Sequence, residues 1–213
     1  MKIKHFSDIH SDLTILDRIP LSEDFDAWIN TGDLFPNRTR GNRKIEPAFQ
    51  EDWFLGKKSA IFKRLGGKPV VTVDGNHDFI SFGEMLIKHG YHGEVYCIKP
   101  GEVIEFGGLS WAGYPHIPFI EGEWSNEAGP LELSELAEQA CLSWADVLVT
   151  HVPPSNILSG PWGCSCLASY LAYSPHNFRY HFFGHVHSHH GQAEALGLKF
   201  FNSATTIQLI ELA

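Results

Sequence analysis

The sequence predicts an α/β fold built on mixed β-sheets, and three observations carry that prediction. Up to Gly90, short apolar segments alternate with longer segments of helical period. Beyond Gly93 the chain turns to short strands separated by Gly-containing turns, the pattern of hairpins. The apolar segments also end in Asp, Asn or His, as strands do when a site gathers at their carboxyl ends.

The elements follow in order. "IKHFSD" (Ile3 to Asp8) alternates like a strand. "SDLTILDRI" predicts a short helix capped by Ser11, with Leu13, Leu16 and Ile19 on one face. "DAWINTGD" reads as a second strand. "EPAFQEDWFLGKKSAIFKRLGG" is a long helix with Phe49, Trp53, Leu55, Ile61, Phe62 and Leu65 as its apolar positions and Gly66 as its stop. "KPVVTVDGN" is short and apolar, like a buried parallel strand, and "SFGEMLIKHG" is a short helix after it. "VYCI", "EVIEF" and "LSWAGYP" are strands. "LELSELAEQACLS" is an amphipathic helix opened by Gly129-Pro130, "ADVLVTH" a buried strand and "CLASYLAY" a short helix. "YHFFGHV", "KFFNSA" and "TTIQLIEL" close the chain as three strands.

The 213 residues, 43% of them hydrophobic, supply one substantial core. With no linker and no repeat, the expectation is a single domain over residues 1–213. "MKIKHFSD" opens as a strand rather than a signal peptide, and no stretch reads as a membrane span, so a soluble cytoplasmic protein is expected. Cys97, Cys141, Cys164 and Cys166 lack the paired spacing of a structural zinc site and read as free thiols. A net charge of −9 weighs against an extended nucleic acid as partner and favours a small substrate. Arg38, Arg40, Arg43 and Lys44 form the one local basic cluster, open to two readings: a solvated loop or a contact with substrate phosphate.

The polar residues at the strand ends carry the chemistry. Asp8 and His10 close the first strand, Asp33 the second, Asn76, His77 and Asp78 the third; His151, then His185 and His187, close two later ones. An i, i+2 pair in extended chain faces one side, so Asp8 with His10, and His185 with His187, can each meet one centre. Gly32, Gly75 and Gly184 stand where backbone leaves a strand sharply and comes close to another group. Imidazole mixed with carboxylate suits manganese, iron, zinc or nickel better than calcium.

The blocks "SDIH" (Ser7 to His10), "GD" (Gly32, Asp33), "GNHD" (Gly75 to Asp78), "THVP" (Thr150 to Pro153) and "GHVH" (Gly184 to His187) resemble the calcineurin-like metallophosphoesterase family, in the family's order and across almost the whole chain. The resemblance implies a four-layer αββα sandwich of two mixed sheets flanked by helices. It also implies two divalent metal ions, with Asp8, His10 and His187 on one, Asn76, His151 and His185 on the other, and Asp33 bridging. A metal-bridging hydroxide would attack phosphorus, with His77 as general acid and Asp78 as its orienter. His189 and His190 match nothing in the motif and are expected to be exposed.

The second block, "GDLFPNRTRG", departs from the Gly-Asp-x-x-Asp-Arg-Gly of the Ser/Thr protein phosphatases, with Pro36 and Asn37 where the Asp-Arg pair would stand. "GYPHIPF", "THVPPSNILSGPWGCSCLASYL" and "FNSAT" are similar to segments of small metallophosphoesterase-domain proteins and class III cyclic-nucleotide phosphodiesterases. That similarity implies hydrolysis of small phosphodiesters, with aromatic walls from Trp111, Tyr114, Phe119 or Trp162. The alternatives are a phosphomonoesterase or protein phosphatase of the same fold and, in a different class, a non-catalytic scaffold.

Overall fold

A computed structural model describes all residues from Met1 to Ala213. In chain order its elements are β1 (Lys2–Ser7), β2 (Ala27–Asn30), α1 (Glu46–Leu65), β3 (Val70–Thr72), α2 (Phe82–Lys88), β4 (Val95–Cys97), β5 (Ile104–Phe106), β6 (Leu109–Tyr114), β7 (Ile117–Pro118), β8 (Glu127–Ala128), α3 (Pro130–Leu142), β9 (Val147–Thr150), α4 (Ser165–Tyr173), β10 (Tyr180–Phe183), β11 (Gly191–Ala195), β12 (Leu198–Asn202) and β13 (Thr206–Glu211). They form a five-stranded sheet in the order β13-β1-β2-β3-β4, a six-stranded sheet in the order β11-β12-β10-β9-β6-β5, and a small β7-β8 pair. Both large sheets are mixed: parallel interiors, with β13 antiparallel on the first and β11 and β5 antiparallel on the second.

Three buried clusters separate four layers. Ile3, Ile29 and Val71 of the first sheet meet Trp111, Val149 and Phe182 of the second between the sheets. On the outer face of the first sheet, Phe6, Trp28 and Val70 pack under Phe54, Ile61 and Leu65 of α1 and Phe82 and Leu86 of α2. On the outer face of the second, Leu148, Phe183 and Phe200 pack under Leu136 and Ala140 of α3 and Leu167 of α4. Strand alternation explains the division, since neighbours such as Trp28 and Ile29 point to opposite faces. The fold is therefore the αββα sandwich. No helix is long and apolar enough to cross a membrane.

Local details differ from expectation. The "SDLTILDRI" segment is a 3₁₀ turn over Leu13–Arg18, capped by Asp12, whose carboxylate accepts from Thr14 N at 3.1 Å; Ser11 instead sits in the left-handed region at φ 73°. The inward face of α1 is Glu46, Gln50, Phe54, Ile61 and Leu65, while Leu55 is exposed. Gly66 ends α1 as expected, at φ 62° with its N–H on Phe62 O. β11 lies in "GQAEA", a half-exposed edge strand whose only apolar side chains are alanines. All four cysteines are free.

Candidate metal centre

The ends of β1, β2, β3, β9 and β10 converge at one edge of the sandwich. Asp8, His10, Asp33 and His185 all have φ between 40° and 66°, a region costing a non-glycine residue roughly 1–3 kcal/mol and met most often at functional sites. Backbone bonds between the loops hold them there: Asp8 N to Gly32 O at 2.9 Å and His10 N to Asp33 O at 3.0 Å. Glycine is required at 75 and 184 by close approach, because a Cβ would overlap Asp33 Oδ1 at the first and Asp8 Oδ2 at the second.

Two groups of donor atoms result. In the first, His187 Nε2 lies 3.2 Å from Asp8 Oδ1 and 3.3 Å from His10 Nε2. In the second, Asn76 Oδ1 lies 3.0 Å from both His151 Nε2 and His185 Nδ1, and these two nitrogens are 3.3 Å apart. Asp33 Oδ2 stands between the groups, 3.4 Å from His151 Nε2 and 4.0 Å from His10 Nε2. All seven residues expected from the sequence are thus brought together. Asp8, His10 and His187, and Asp8, Asp33 and His151, each present ligand atoms within 4.8 Å of one another.

The electrostatics describe a place that recruits positive charge. Burial raises the Asp8 and Asp33 carboxyls, but the surrounding imidazoles outweigh it and hold both below the usual carboxylate range, chiefly His187 for Asp8 and His151 for Asp33. For His151, burial acts downward and the Asp33 charge overrides it, lifting the ring to about 10. His185 is pushed down to about 4 by burial and by the neighbouring His151. His151 donates through Nδ1 to Thr31 O at 2.7 Å, which leaves Nε2 directed at Asp33 and Asn76. Two buried carboxylates among convergent imidazole nitrogens need cations, and this nitrogen and oxygen donor set fits divalent transition metals.

His77 lies beside the cluster with Nε2 4.0 Å from Asp33 Oδ2. Asp78 does not orient it, which corrects the expectation. The buried Asp78 carboxylate accepts four backbone N–H bonds, from Asp33 and Gly75 on one oxygen and Leu34 and Phe35 on the other, at 2.7 to 3.2 Å. It ties the β2 exit to the β3 exit and turns away from the imidazole. Burial and the Asp33 and Asp74 charges push its carboxyl up, yet four donors and no acceptor suit only the ionised form.

The orienter is Asn37. Its Oδ1 meets His77 Nδ1 at 2.5 Å while its Nδ2 donates to His77 O at 3.2 Å. A flipped amide would set oxygen against carbonyl, so the contact fixes Nδ1 as the protonated nitrogen. Gln50 Nε2 adds a bond to His77 O at 2.7 Å. Trp124 packs against the imidazole with ring centroids 4.3 Å apart, and its loop is seated by Ser125 N on Asn76 O and Asn126 Nδ2 on Gly75 O. Sequence reasoning missed Gln50, Trp124 and Asn126. For Asn37 the signal was present, in the departure of "GDLFPN" from the phosphatase pattern.

The basic cluster serves this loop. Arg40 Nε pairs with Glu121 at 2.9 Å and Arg43 Nη2 donates to Trp124 O at 2.8 Å, while Arg38 is exposed. His189 and His190 are exposed and outside both donor groups; His189 lies against Gly160 and His190 bonds to His187 O. Trp111 and Tyr114 are core residues, whereas Phe119 and Trp162 are exposed.

Comparisons with known proteins speak to the family and the fold. A family model described as calcineurin-like phosphoesterase matches residues 1–189. No curated protein matches the sequence. Among solved structures, the TT1561 protein of Thermus thermophilus is 16% identical, with 98% of this chain and 97% of that one covered and a TM-score of 0.61. A dimetal phosphatase from Danio rerio is 11% identical, with 95% and 86% covered and a TM-score of 0.56. At these identities the two structures speak for the fold.

Proposed function

Because the chain belongs to the calcineurin-like phosphoesterase family, we propose that it hydrolyses small phosphodiesters with two divalent transition-metal ions at this centre. Asp8, His10 and His187 would hold one ion, Asn76, His151 and His185 the other, and Asp33 would lie between them. Bound there, manganese, iron, zinc or nickel supplies Lewis acidity for the phosphoryl oxygens and lowers the pKa of a water from 15.7 toward roughly 7.

The chain's own residues do the rest. With Nδ1–H on Asn37, His77 turns Nε2 toward the cluster and holds a proton there for the leaving oxygen. Burial, ahead of the opposing pull of Asp33, lowers the affinity of His77 for that proton and makes it a readier donor. The Trp124 and His10 rings confine the imidazole from two sides, at centroid distances of 4.3 and 4.7 Å.

One observation favours a diester over a terminal phosphate. A dianionic phosphoryl group gains most from a bidentate guanidinium. Two of the three arginines in the nearby loop are otherwise engaged, Arg40 on Glu121 and Arg43 on Trp124 O, which leaves only the exposed Arg38. The test is hydrolysis of bis-p-nitrophenyl phosphate against p-nitrophenyl phosphate by manganese-loaded protein. Faster turnover of the diester is expected; preference for the monoester refutes the diester reading and moves a phosphomonoesterase or protein phosphatase to the front. No turnover of either, with metal bound, leaves a scaffold.

A further inference from the structure

A cavity of about 250 Å³ opens beside the metal centre and shares His185 with it as a wall. Its other walls come from two arms, Pro118-Phe119-Ile120 at the end of β7 and Pro161-Trp162-Gly163 before α4. Phe119 is 63% and Trp162 64% exposed, so two large aromatic side chains are held in water at one spot. Other large apolar side chains are exposed too, Tyr173 and Leu131 more so, but these two share the walls of one cavity with Ile120, and a contiguous apolar patch marks a contact surface.

The arms are built. Phe119 N donates to Ala128 O at 3.1 Å and Ile120 N to the Glu127 carboxylate at 3.2 Å. On the other arm, Trp162 N donates to Ser159 O at 3.1 Å and Cys164 N to Pro153 O at 2.8 Å. The His189 ring lies against Gly160 just before Pro161. This gives the histidine-rich stretch a second use: His185 and His187 face the donor groups while His189 backs the arm that carries Trp162.

The lining chooses the occupant. Apart from His185 at the junction it contains no ionisable side chain, so it offers a charged group no partner of its own. Two prolines and two aromatic rings present flat apolar faces, the surface on which planar rings stack. At about 250 Å³ the space falls below the roughly 300 Å³ at which pockets for drug-sized ligands begin, so it admits one ring system, not a whole nucleotide.

Resting on the phosphodiesterase reading above, we propose that this cavity is a specificity subsite for a neutral planar aromatic group carried on the ester oxygen of the substrate. A nucleobase and a simple aryl group share that chemistry. The phosphorus end would sit at the donor groups and the ring between Phe119 and Trp162, with His185 at the junction.

The test compares p-nitrophenyl diesters that share one leaving group and differ in the group retained on phosphorus: methyl, phenyl and thymidine 5′. In parallel, isothermal titration measures methylphosphonate, phenylphosphonate and thymidine 5′-monophosphate binding to zinc-loaded protein, which needs no turnover. Aromatic ligands are expected to bind, and aromatic esters to react, about tenfold better than the methyl ones, the lower part of what stacking one base contributes. Trp162→Ala and Phe119→Ala should each shrink that ratio toward one, with Trp162→Phe keeping part of it. A ratio near one in the wild type, or a ratio unchanged in both alanine variants, overturns the subsite. Preference for phenyl alone assigns an aryl group, and preference for thymidine alone a nucleobase. Aromatic-selective binding without hydrolysis of any diester keeps the subsite and refutes the enzyme reading instead.

Discussion

Replacing Asn37 with Ala removes two hydrogen bonds to His77, one from Oδ1 to the ring and one from Nδ2 to the carbonyl, and only the first bears on the imidazole. The backbone of His77 stays fixed, because its N–H is held by Asp33 Oδ1 at 2.7 Å and its carbonyl by Gln50 Nε2 at 2.7 Å. The ring stays confined between Trp124 and His10. What goes is the acceptor that keeps the proton on Nδ1 and directs Nε2 inward. A lost hydrogen bond of this kind costs about 1 kcal/mol, or roughly five- to tenfold in kcat. That is less than the roughly 10²–10⁴-fold that a whole general acid supplies.

The assay must use a leaving group that needs the proton. Phenoxide is more basic than p-nitrophenolate, so Asn37→Ala should slow diphenyl phosphate by about tenfold and bis-p-nitrophenyl phosphate much less. Bound manganese should be unchanged. In a His77→Ala background the Asn37 substitution should have no further effect, since two residues acting through one group are not additive. Asn37→Asp should restore turnover and move the alkaline limb of the kcat profile to higher pH, because a carboxylate on Nδ1 stabilises the imidazolium. Equal slowing of both esters, or an undiminished effect without His77, would refute the argument.

Two further outcomes follow from buried polar groups outside the reaction. Asp78→Ala strands four backbone N–H groups and should cost about 3–5 kcal/mol, lowering Tm by about 10 °C. If Asp78 instead acted on His77, kcat would fall with Tm intact. Burial pushes His5 and His181 down to about 3, while in the unfolded chain each titrates near 6.5. Between those values the unfolded chain binds more protons, so stability is full above about pH 6.5 and drains as pH falls toward 3, by about 2 kcal/mol per histidine at pH 5. Urea unfolding of EDTA-treated wild type and His181→Phe at pH 7 and pH 5 measures this; the substitution should reduce the loss of stability on going to pH 5 by about 2 kcal/mol, and an unchanged pH dependence would contradict it.

Much of the centre could be read from the chain because its polar residues lie in short blocks directly after apolar strands, where strand order alone carries them to one edge. The sheets were legible for the same reason, as runs such as "VLVT" and "YHFF" have few other fates. β11 was not, since an edge strand of alternating alanine and polar residues has too little apolar surface to show a period. The inward face of α1 was blurred because Glu46 and Gln50 turn inward to hold loops: Glu46 takes the N–H groups of Arg38 and Thr39, and Gln50 the His77 carbonyl. A polar residue used this way looks in the sequence like the solvent face of the helix.

Asp78 shows the sharper limit. Adjacency to His77 made it the natural partner, but consecutive side chains in an extended or turning chain point apart. The partner came instead from Asn37, a loop residue brought in by the β2 exit. The same exits carry the left-handed backbone at Asp8, His10, Asp33 and His185, which Asp and His tolerate better than most residues but which their identity alone does not reveal. Such backbone costs up to roughly 1–3 kcal/mol per residue and persists only where its surroundings hold it. Asp78 holds the β2 and β3 exits together, and backbone bonds from Asp8 and His10 tie the β1 exit to them, so the residue expected to serve the chemistry instead keeps donor groups in reach of one another.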